Sequence, residues 1–266
     1  MATRTLNVAI VGATGRMGTR LITLIGQDDA LSLSAAVDRP DHPHLGEDVG
    51  PSIGLGPLGV PLSASLDRPC DVVIDFSTPS STLKTAEVCV EKGIPLVVGT
   101  TGFEPAQREA LEQSEDRIAL LISSNFSRAV NLLMHLSGVA ARALGDRADI
   151  EIVERHHRFK KDAPSGTALR LAEVVAESTG ISRYVHGREG QVGERPRGEI
   201  GLHALRTGDN PGEHTVVFGL MGECLELTHR ALNRDGFALG ALDAARFLAG
   251  KPAGRYTMSE LFSFGS

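Results

Sequence analysis

The sequence predicts an α/β protein built from an amino-terminal doubly wound parallel sheet and a following α+β domain with a largely antiparallel sheet. Apolar runs rich in β-branched residues alternate with helical patterns through the first 126 residues, which is typical of a parallel sheet. Three segments after residue 198 instead alternate polar and apolar residues with period two. We expect one domain over residues 1–126, completed by 235–266, and a second domain over 127–234.

Composition limits the kind of partner. The chain has 266 residues and a net charge of −6, which argues against a nucleic-acid or membrane-surface partner. No run of eighteen apolar residues is present, so we expect no membrane span. Cys70, Cys89 and Cys224 have no disulfide or metal spacing, and the apolar run at the amino terminus is too short for a signal peptide. We therefore expect a cytoplasmic protein with reduced thiols.

The first strand, Leu6–Val11, ends in a glycine turn, Gly12–Gly18, that opens a helix. A second strand, Leu31–Val37, then ends at Asp38. Glycines allow a tight turn and close approach to a pyrophosphate, and free N–H groups at a helix start bind its charge. Asp38 follows Gly18 by about twenty residues, the spacing of a carboxylate that accepts bonds from ribose hydroxyls. The pattern predicts a Rossmann-like dinucleotide site; the alternative is a tight turn beside an empty crevice.

The residues that follow the second strand bear on the choice of cofactor. Asp38 favours NADH, because a 2′-phosphate would face a carboxylate, whereas Arg39 could pair with that phosphate and tolerate NADPH. A solvated loop residue is the alternative interpretation of Arg39. His42 and His44 lack a further ligand at metal spacing, so we predict no metal and interpret them as part of a mobile surface loop near the adenosine end.

Further strands end in small polar residues or glycine. Because ligands bind beyond the carboxyl ends of parallel strands, these ends should form one continuous cofactor site. The segments concerned are Gly12–Gly18, Asp38–Arg39, Ser77–Pro79, Gly99–Gly102 and Ser123–Phe126.

The second half changes architecture. A helix is predicted over Val130–Leu144, and Asp149–Glu154 alternates as a strand that leads to His156. Three period-two segments separated by turns then predict an antiparallel meander with one open face, which another subunit often covers. These segments are Glu199–Arg206, Glu213–Leu220 and Glu223–Arg230. Asp235–Leu248 is predicted as a last helix that packs on the first domain.

The chemistry centres on one stretch. His156, His157 and Lys160 are candidate proton donors, because imidazole titrates near neutrality and a lysine stabilises developing charge. Ser165–Thr167, at a helix start, offer N–H groups and hydroxyls to a carboxylate. The combination suits a small anionic substrate with a C=N group. A surface loop of solvated cations capped by a helix is the alternative.

Other dehydrogenase classes lack their residues here. A short-chain dehydrogenase needs Tyr-x-x-x-Lys, and the two tyrosines, Tyr184 and Tyr256, are followed four positions on by Arg188 and Glu260. No H-E-x-x-H helix exists, which excludes metalloprotease chemistry.

The stretch Glu154–Ala168 resembles the signature E-x-H-H-x-x-K-x-D-A-P-S-G-T-A of the 4-hydroxy-tetrahydrodipicolinate reductase family, formerly called dihydrodipicolinate reductase. The resemblance extends to Val11–Gly18, Gly99–Gly102, Asn125–Ser127 and Gly222–Ala231. It implies the second reductive step toward diaminopimelate and lysine. The substrate would be a cyclic hydroxylated imine dicarboxylate that loses water and takes a hydride at C4 from NADH or NADPH.

The resemblance also implies residue roles. His156 would be the proton donor and acceptor and Lys160 a proton donor, while the substrate would be bound by His157, Gly166 and Thr167, beside Ser165. The cofactor would be lined by Gly12, Ala13, Thr14, Gly15, Arg16, Met17, Asp38, Arg39, Gly99, Thr100, Thr101, Ser123, Ser124, Asn125 and Phe126. The family is typically a cytoplasmic homotetramer assembled through the meander sheet. The alternative function is a non-catalytic NAD(P)-binding sensor of the same fold.

Overall fold

The computed structural model describes residues 5–263, and the chain forms two compact units. One unit contains the chain through Ser127 and again from Asp235 onward, and the other spans Arg128–Arg234. The first four and last three residues, which the expected amino-terminal domain includes, lie outside the described residues. No helix in the described part of the chain is both long and apolar enough to cross a membrane.

The first unit is built on a seven-stranded sheet in which every neighbouring pair is parallel. The central strands are almost wholly apolar and buried, as expected when helices cover both faces. The strands are β1 (Leu6–Val11), β2 (Leu31–Val37), β3 (Leu62–Ser63), β4 (Val72–Asp75), β5 (Leu96–Val98), β6 (Ala119–Ile122) and β12 (Gly254–Tyr256). Their order across the sheet is β12-β6-β5-β4-β1-β2-β3.

Helices cover the two faces of this sheet through separate apolar clusters. They are α1 (Arg16–Ile25), α2 (Val49–Ser52), α3 (Pro79–Lys92), α4 (Pro105–Glu112), α7 (Asp235–Leu248) and α8 (Met258–Phe262), with a 3-10 turn at Gln113–Asp116. Helices α1 and α7 share one cluster, and α3 and α4 contribute to the other. Helix α7 approaches the chain after β6 closely, since a Cβ on Gly240 would lie 1.8 Å from the carbonyl oxygen of Phe126. The segment after residue 234 is thus part of the first unit's core.

The second unit contains a mixed five-stranded sheet covered on one face by two helices. Its strands are β7 (Asp149–His156), β8 (Arg183–His186), β9 (Glu199–Arg206), β10 (Glu213–Leu220) and β11 (Glu223–Arg230), in the order β11-β10-β7-β9-β8. The helices are α5 (Arg128–Leu144) and α6 (Gly166–Thr179), and a 3-10 turn occupies Gly145–Arg147. The predicted fold class, a doubly wound parallel sheet with a second α+β unit, is confirmed.

One detail of the predicted meander is wrong. β10 and β11 form the expected antiparallel hairpin across Met221 and Gly222, but β9 does not pair with β10. Instead β7 lies between them, antiparallel to β10 and parallel to β9. The physical reason is the connection: residues 207–212 form a loop rather than a two-residue turn, long enough to pass over the intervening strand. β7 therefore becomes the central strand of the sheet.

Candidate functional site

The glycine turn of the first unit brings three backbone segments into close contact. Gly12 has φ +78°, and a Cβ there would lie 2.5 Å from the carbonyl oxygen of Phe76 at the end of β4. A Cβ on Gly18 would lie 2.2 Å from the carbonyl oxygen of Gly12. Gly15 precedes α1, and among the described residues no side chain caps that helix. The N–H groups of Gly12 and Ala13 donate to the carbonyl oxygen of Val37, and that of Gly15 donates to Gly12. The N–H groups left for a phosphate are therefore those of the first turn of α1.

Asp38, at the end of β2, is fixed by this turn. Its Oδ2 accepts from the N–H of Thr14 at 2.9 Å and from the Thr14 hydroxyl at 2.7 Å, while Oδ1 accepts from the N–H of Arg39 at 2.9 Å. Burial acts to raise the pKa of Asp38, but these hydrogen bonds outweigh it and bring the pKa below its ordinary value. Asp38 is thus an oriented carboxylate at the place where a ribose hydroxyl is expected.

His42 extends the same chain of hydrogen bonds. Because the Thr14 hydroxyl donates to Asp38, it must accept from Nε2 of His42, which lies 3.2 Å away. Nδ1 of His42 accepts from the N–H of His44 at 3.3 Å. His42 therefore forms part of the wall of the site, with Nε2 facing the Thr14 hydroxyl and Nδ1 facing the N–H of His44. The sequence placed His42 in a loop near the adenosine end, but gave no sign of this contact.

A cavity of about 790 Å³ opens beside these residues, a size that accommodates a cofactor. Five of the predicted cofactor residues line it: Gly12, Thr14, Gly15, Asp38 and Arg39. His42, expected in a loop near this end, is also part of the wall. Residues that the sequence did not indicate complete it, including Ala64–Leu66, Ser80, Ser81, Lys84, Thr85 and Val88. The remaining predicted cofactor residues do not line this cavity: Ala13, Arg16, Met17, Gly99, Thr100, Thr101, Ser123, Ser124, Asn125 and Phe126. The glycine turn, oriented carboxylate and cavity fit a dinucleotide.

Thr100 illustrates why some of these residues lie apart from the cavity. Its hydroxyl is buried, donates to Oδ1 of Asp75 at 3.1 Å, and accepts from the Ser77 N–H and the Thr82 hydroxyl at 3.0 and 2.9 Å. The Thr100 side chain therefore links the carboxyl ends of β4 and β5 by buried hydrogen bonds. Ala13 and Phe126 are likewise buried in the apolar core.

In the second unit, Glu154 and His156 form a buried pair at the carboxyl end of β7. Residues two apart on a strand share a face, and the His156 Nδ1 lies 2.5 Å from Oε2 of Glu154. Burial lowers the pKa of His156, and the charges of Lys160 and Arg206 add to this effect, which outweighs the opposing influence of Glu154. His156 is therefore a neutral imidazole near pH 7, able to accept a proton.

Lys160 and His157 lie on the segment that follows β7. The Lys160 ammonium pairs with the carboxylate of Asp162 at 2.9 Å and is about one-fifth exposed. His157 is half-buried, and its Nδ1 is a buried atom without a hydrogen-bond partner among the described residues. Phe159 between them is exposed, with its ring 6.3 Å from that of His157. The segment thus holds the partly buried Lys160 ammonium and one unsatisfied imidazole nitrogen shortly after His156 in the chain.

The start of α6 follows, with Ser165 as its N-cap. The Ser165 hydroxyl accepts from the N–H of Ala168 at 3.2 Å and lies 3.2 Å from Nε2 of His214. Ser165 is buried, so its side chain is used in holding the helix start rather than in offering a hydroxyl to a ligand. Gly166 is exposed and Thr167 half-buried, and they occupy the first turn, where N–H groups attract an anion.

Arg206 and His214 complete this site, and sequence reasoning gave neither a role. Arg206 on β9 donates to both carboxylate oxygens of Glu154, at 2.9 and 2.8 Å. His214 on β10 is buried, and its ring lies edge-on to that of His156 with centroids 5.2 Å apart. Burial, with the neighbouring His156 and His229, lowers the pKa of His214 to about 3. Both residues face His156 because β9 and β10 flank β7.

Comparison with known proteins identifies the family. The family model described as dihydrodipicolinate reductase, N-terminus, matches residues 6–126, and that described as dihydrodipicolinate reductase, C-terminus, matches residues 129–262. A 4-hydroxy-tetrahydrodipicolinate reductase of Alkalilimnicola ehrlichii is 47% identical over 97% of this chain and 98% of its own. One of Methanocaldococcus jannaschii is 45% identical over 94% of this chain and 95% of its own.

Solved structures agree with these relatives. A dipicolinate-bound dihydrodipicolinate reductase from Paenisporosarcina sp. TG-14 has a TM-score of 0.78 at 25% identity, covering 96% of this chain and 98% of its own. An amine dehydrogenase from Mycobacterium smegmatis, with a TM-score of 0.65 at 11% identity, covers 95% of each chain and shares the fold alone. Both family models, over nearly the whole length, and relatives of this identity show that the chain belongs to the dihydrodipicolinate reductase family.

Proposed function

We propose that this protein reduces 4-hydroxy-tetrahydrodipicolinate to tetrahydrodipicolinate, with loss of water, in the diaminopimelate route to lysine. The observation that carries the proposal is full-length similarity, at 45–47% identity, to reductases that bear this name. The chain is accordingly an NAD(P)H-dependent oxidoreductase. The neutral imidazole and the cation after β7 are the groups that such a reaction needs.

The second unit suits a small dicarboxylate. One carboxylate would be held at the start of α6 by the N–H groups of Gly166 and Thr167, since a helix start attracts negative charge. His157, with its unsatisfied Nδ1, would contact the same ligand. Ser165 supports this arrangement indirectly, because its hydroxyl caps α6.

The proposed proton transfers are assigned to Lys160 and His156. The cofactor, held by the glycine turn and Asp38, would supply a hydride to C4 of the conjugated imine, which would leave electron density at the ring nitrogen. Lys160 would stabilise or protonate that nitrogen as charge develops. His156, neutral at rest, is suited to accept a proton as water is lost and to return one to the substrate after hydride transfer.

Substitution of His156 and Lys160 tests these roles. We expect His156→Ala and Lys160→Ala each to lower kcat by about two orders of magnitude or more, the usual effect of losing a positioned acid or base, while NADH still binds. The measurement is oxidation of NADH or NADPH at the nicotinamide absorbance band, with and without substrate. Lys161→Ala, an exposed cation next in sequence, is the matched control. Near-normal turnover in both variants would contradict the roles, and cofactor binding without oxidation in the native protein would favour the sensor.

The cofactor site supports use of both nicotinamide cofactors. Asp38 favours the free ribose hydroxyls of NADH, and its carboxylate is already oriented by Thr14 at Oδ2 and by the Arg39 N–H at Oδ1. The Arg39 side chain is exposed and pairs only loosely with Asp41, at 3.4 Å between exposed partners, so it is available to a 2′-phosphate. We expect Arg39→Ala to raise the KM for NADPH about tenfold or more, the worth of one charge-assisted contact, and to change that for NADH little. Equal effects on both cofactors would count against this role.

We also propose a cytoplasmic homotetramer assembled through the second unit's sheet. Helices α5 and α6 cover one face of that sheet, and the outer strand β11 is largely exposed, with Thr228 and Cys224 in open positions. An open sheet of this kind is commonly covered by another subunit. Sedimentation equilibrium of the purified protein tests the proposal.

A further inference from the structure

Glu154 is a buried carboxylate that accepts four hydrogen bonds. Only 1% of its surface is exposed. Its Oε2 lies 2.5 Å from His156 Nδ1 and accepts from Arg206 Nη1 at 2.9 Å. Its Oε1 accepts from the Ser165 N–H at 3.0 Å and from Arg206 Nη2 at 2.8 Å. One side chain therefore connects the candidate acid–base histidine, a neighbouring strand and the start of α6.

The ionisation of Glu154 decides which nitrogen of His156 carries the proton. Burial acts to raise the pKa of Glu154, but hydrogen bonds from Arg206, His156 and Ser165 outweigh it and lower the pKa. A carboxylate can only accept hydrogen bonds, so His156 must donate through Nδ1. The lone pair of the neutral imidazole then lies on Nε2.

The surroundings of Nε2 are consistent with an acceptor kept clear for a ligand. Gly212 lies on that side of the ring, where a Cβ on this glycine would be 3.0 Å from Nε2 and 3.4 Å from Cδ2. The charged and titratable groups that face the ring are Glu154 on β7, Arg206 on β9, His214 on β10 and Lys160 on the following segment. Within the described residues, His156 forms its ring hydrogen bond through Nδ1, and no group forms one with Nε2.

Arg206 limits how far Glu154 can favour the imidazolium. A carboxylate that faces a histidine alone stabilises the charged ring and raises its pKa. Here the guanidinium shares the same two oxygens, in a bidentate pair, and also donates from Nη2 to the carbonyl oxygen of Asp162 at 2.6 Å. Glu154 thus orients His156 while most of its charge is balanced by Arg206.

We propose that Glu154, held in place by Arg206, is the positioning residue for His156: it keeps the resting proton on Nδ1, so that Nε2 exchanges protons with the substrate. The same carboxylate fixes the helix start that would bind the substrate carboxylate, through the Ser165 N–H. The inference rests on the proposed acid–base role of His156. It assigns to Glu154 and Arg206 an effect on the tautomer and pKa of that residue.

The first test measures directly which nitrogen of the His156 imidazole carries the proton, in the native protein without substrate. Nitrogen-15 chemical shifts of His156, assigned by comparison with His156→Ala, should report a neutral ring with the proton on Nδ1. A ring protonated on Nε2 overturns the proposal. This measurement requires no substitution at the Glu154–Arg206 pair and no catalytic turnover.

Two variants should then shift the pKa of His156 in opposite directions. Glu154→Gln removes the anion but leaves Arg206, so the pKa of His156 should fall further and the Nε2–H tautomer should appear. Arg206→Met leaves Glu154 without its shared cation, so the pKa of His156 should rise. Shifts in the same direction overturn the proposal, because a merely structural disturbance has no reason to change sign between the two. Glu213→Gln, which breaks a Glu–Arg pair with Arg230 in the same sheet, is the matched control. It should change neither the pKa nor the tautomer of His156.

Kinetics separate this inference from the function itself. Glu154→Gln should lower kcat about 10²-fold to 10⁴-fold, the range for loss of a positioned acid–base group or of its tautomer, and should displace the acid limb of the pH–rate profile. If the tautomer and both pKa shifts are found but Glu154→Gln turns over normally, the positioning role is overturned. The reductase assignment would be unaffected, because native turnover of substrate tests it independently. The double variant Glu154→Gln with Arg206→Met, which carries no unpaired buried charge, should retain the kinetic defect even if either single variant folds poorly.

Discussion

Asp75→Asn should change how the stability of the first unit depends on pH. Asp75 ends β4 and is fully buried. Its Oδ1 accepts from the Ser77 N–H at 2.9 Å, the Ser77 hydroxyl at 2.6 Å and the Thr100 hydroxyl at 3.1 Å, while Oδ2 has no hydrogen-bond partner among the described residues. Burial raises the pKa of Asp75, and these hydrogen bonds only partly offset it.

The sign and size follow from proton linkage. Because its pKa is raised on folding, Asp75 keeps its proton in the folded protein at pH values where the unfolded chain, with a pKa of about 3.9, has released it. The contribution of Asp75 to the free energy of unfolding should therefore fall, by up to about 1.4 kcal/mol per pH unit, as pH rises from about 4 to the folded pKa. An asparagine does not titrate and keeps a carbonyl oxygen for the Ser77 and Thr100 donors. Asp75→Asn should gain stability relative to the native protein over that interval, with the same slope.

Urea unfolding without cofactor, at half-unit steps from pH 4 to pH 8, measures this difference. Asp67→Asn is the matched control, since exposed Asp67 also accepts a serine hydroxyl but remains in water, and its curve should run parallel to that of the native protein. Asp75→Ala, which leaves the Ser77 and Thr100 donors without their acceptor, should be about 1–3 kcal/mol less stable than Asp75→Asn at every pH. Parallel curves for Asp75→Asn and the native protein would refute the reasoning, because they would mean that burial does not favour the protonated carboxyl.

Glycine substitutions test one close approach within each unit. Gly12→Ala and Gly46→Ala both place alanine at a left-handed φ, costing about 1–2 kcal/mol, but only Gly12 has a backbone oxygen within 2.5 Å of the new Cβ, whereas that of Gly46 meets nothing within 4 Å. Gly12→Ala should therefore lose more stability in urea and bind NADH more weakly by titration; equal losses would speak against the close approach. Gly212→Ala should lower kcat about tenfold to a hundredfold by displacing the His156 ring, with NADH affinity unchanged, and steady-state kinetics beside a cofactor titration check both. Full activity in that variant would show that the ring has room to move.

The cofactor turn was predictable because its information is local. Strand, glycines, helix and carboxylate follow one another in the chain, and the structure joins them by contacts such as Thr14 to Asp38. The parallel sheet was likewise predictable from alternating strands and helices. β3 and β12, of two and three residues, carry too little pattern to be recognised. The buried hydroxyl of Thr100 was not foreseen, because its partner Asp75 lies 25 positions earlier and on another strand.

In the second unit, the sequence predicted the strand that leads to His156 but not the residues on neighbouring strands that contact it. A period of two places Glu154 and His156 on one face of a strand, so their contact follows from the sequence once that strand is recognised. Arg206 lies 52 positions from Glu154, and no local pattern reveals that β9 pairs with β7. His214 depends in the same way on the register between β10 and β7. The wrong meander and the two missed partners thus have a single cause, which is that pairing between strands distant in sequence cannot be deduced from periodicity.

The central position of β7 explains why the His156 imidazole has neighbours on both sides. An edge strand has a neighbour on one side only, whereas β7 has β9 on one side and β10 on the other. The register places Arg206 opposite His156 on β9 and His214 opposite Glu154 on β10, so each neighbouring strand supplies one partner to the pair. A site supported by rigid strands holds a catalytic group more accurately than a loop does. Accordingly, the fold determines the geometry of His156 through two neighbouring strands, whereas Lys160 and His157 lie on the segment that follows β7 and have no such support from a flanking strand.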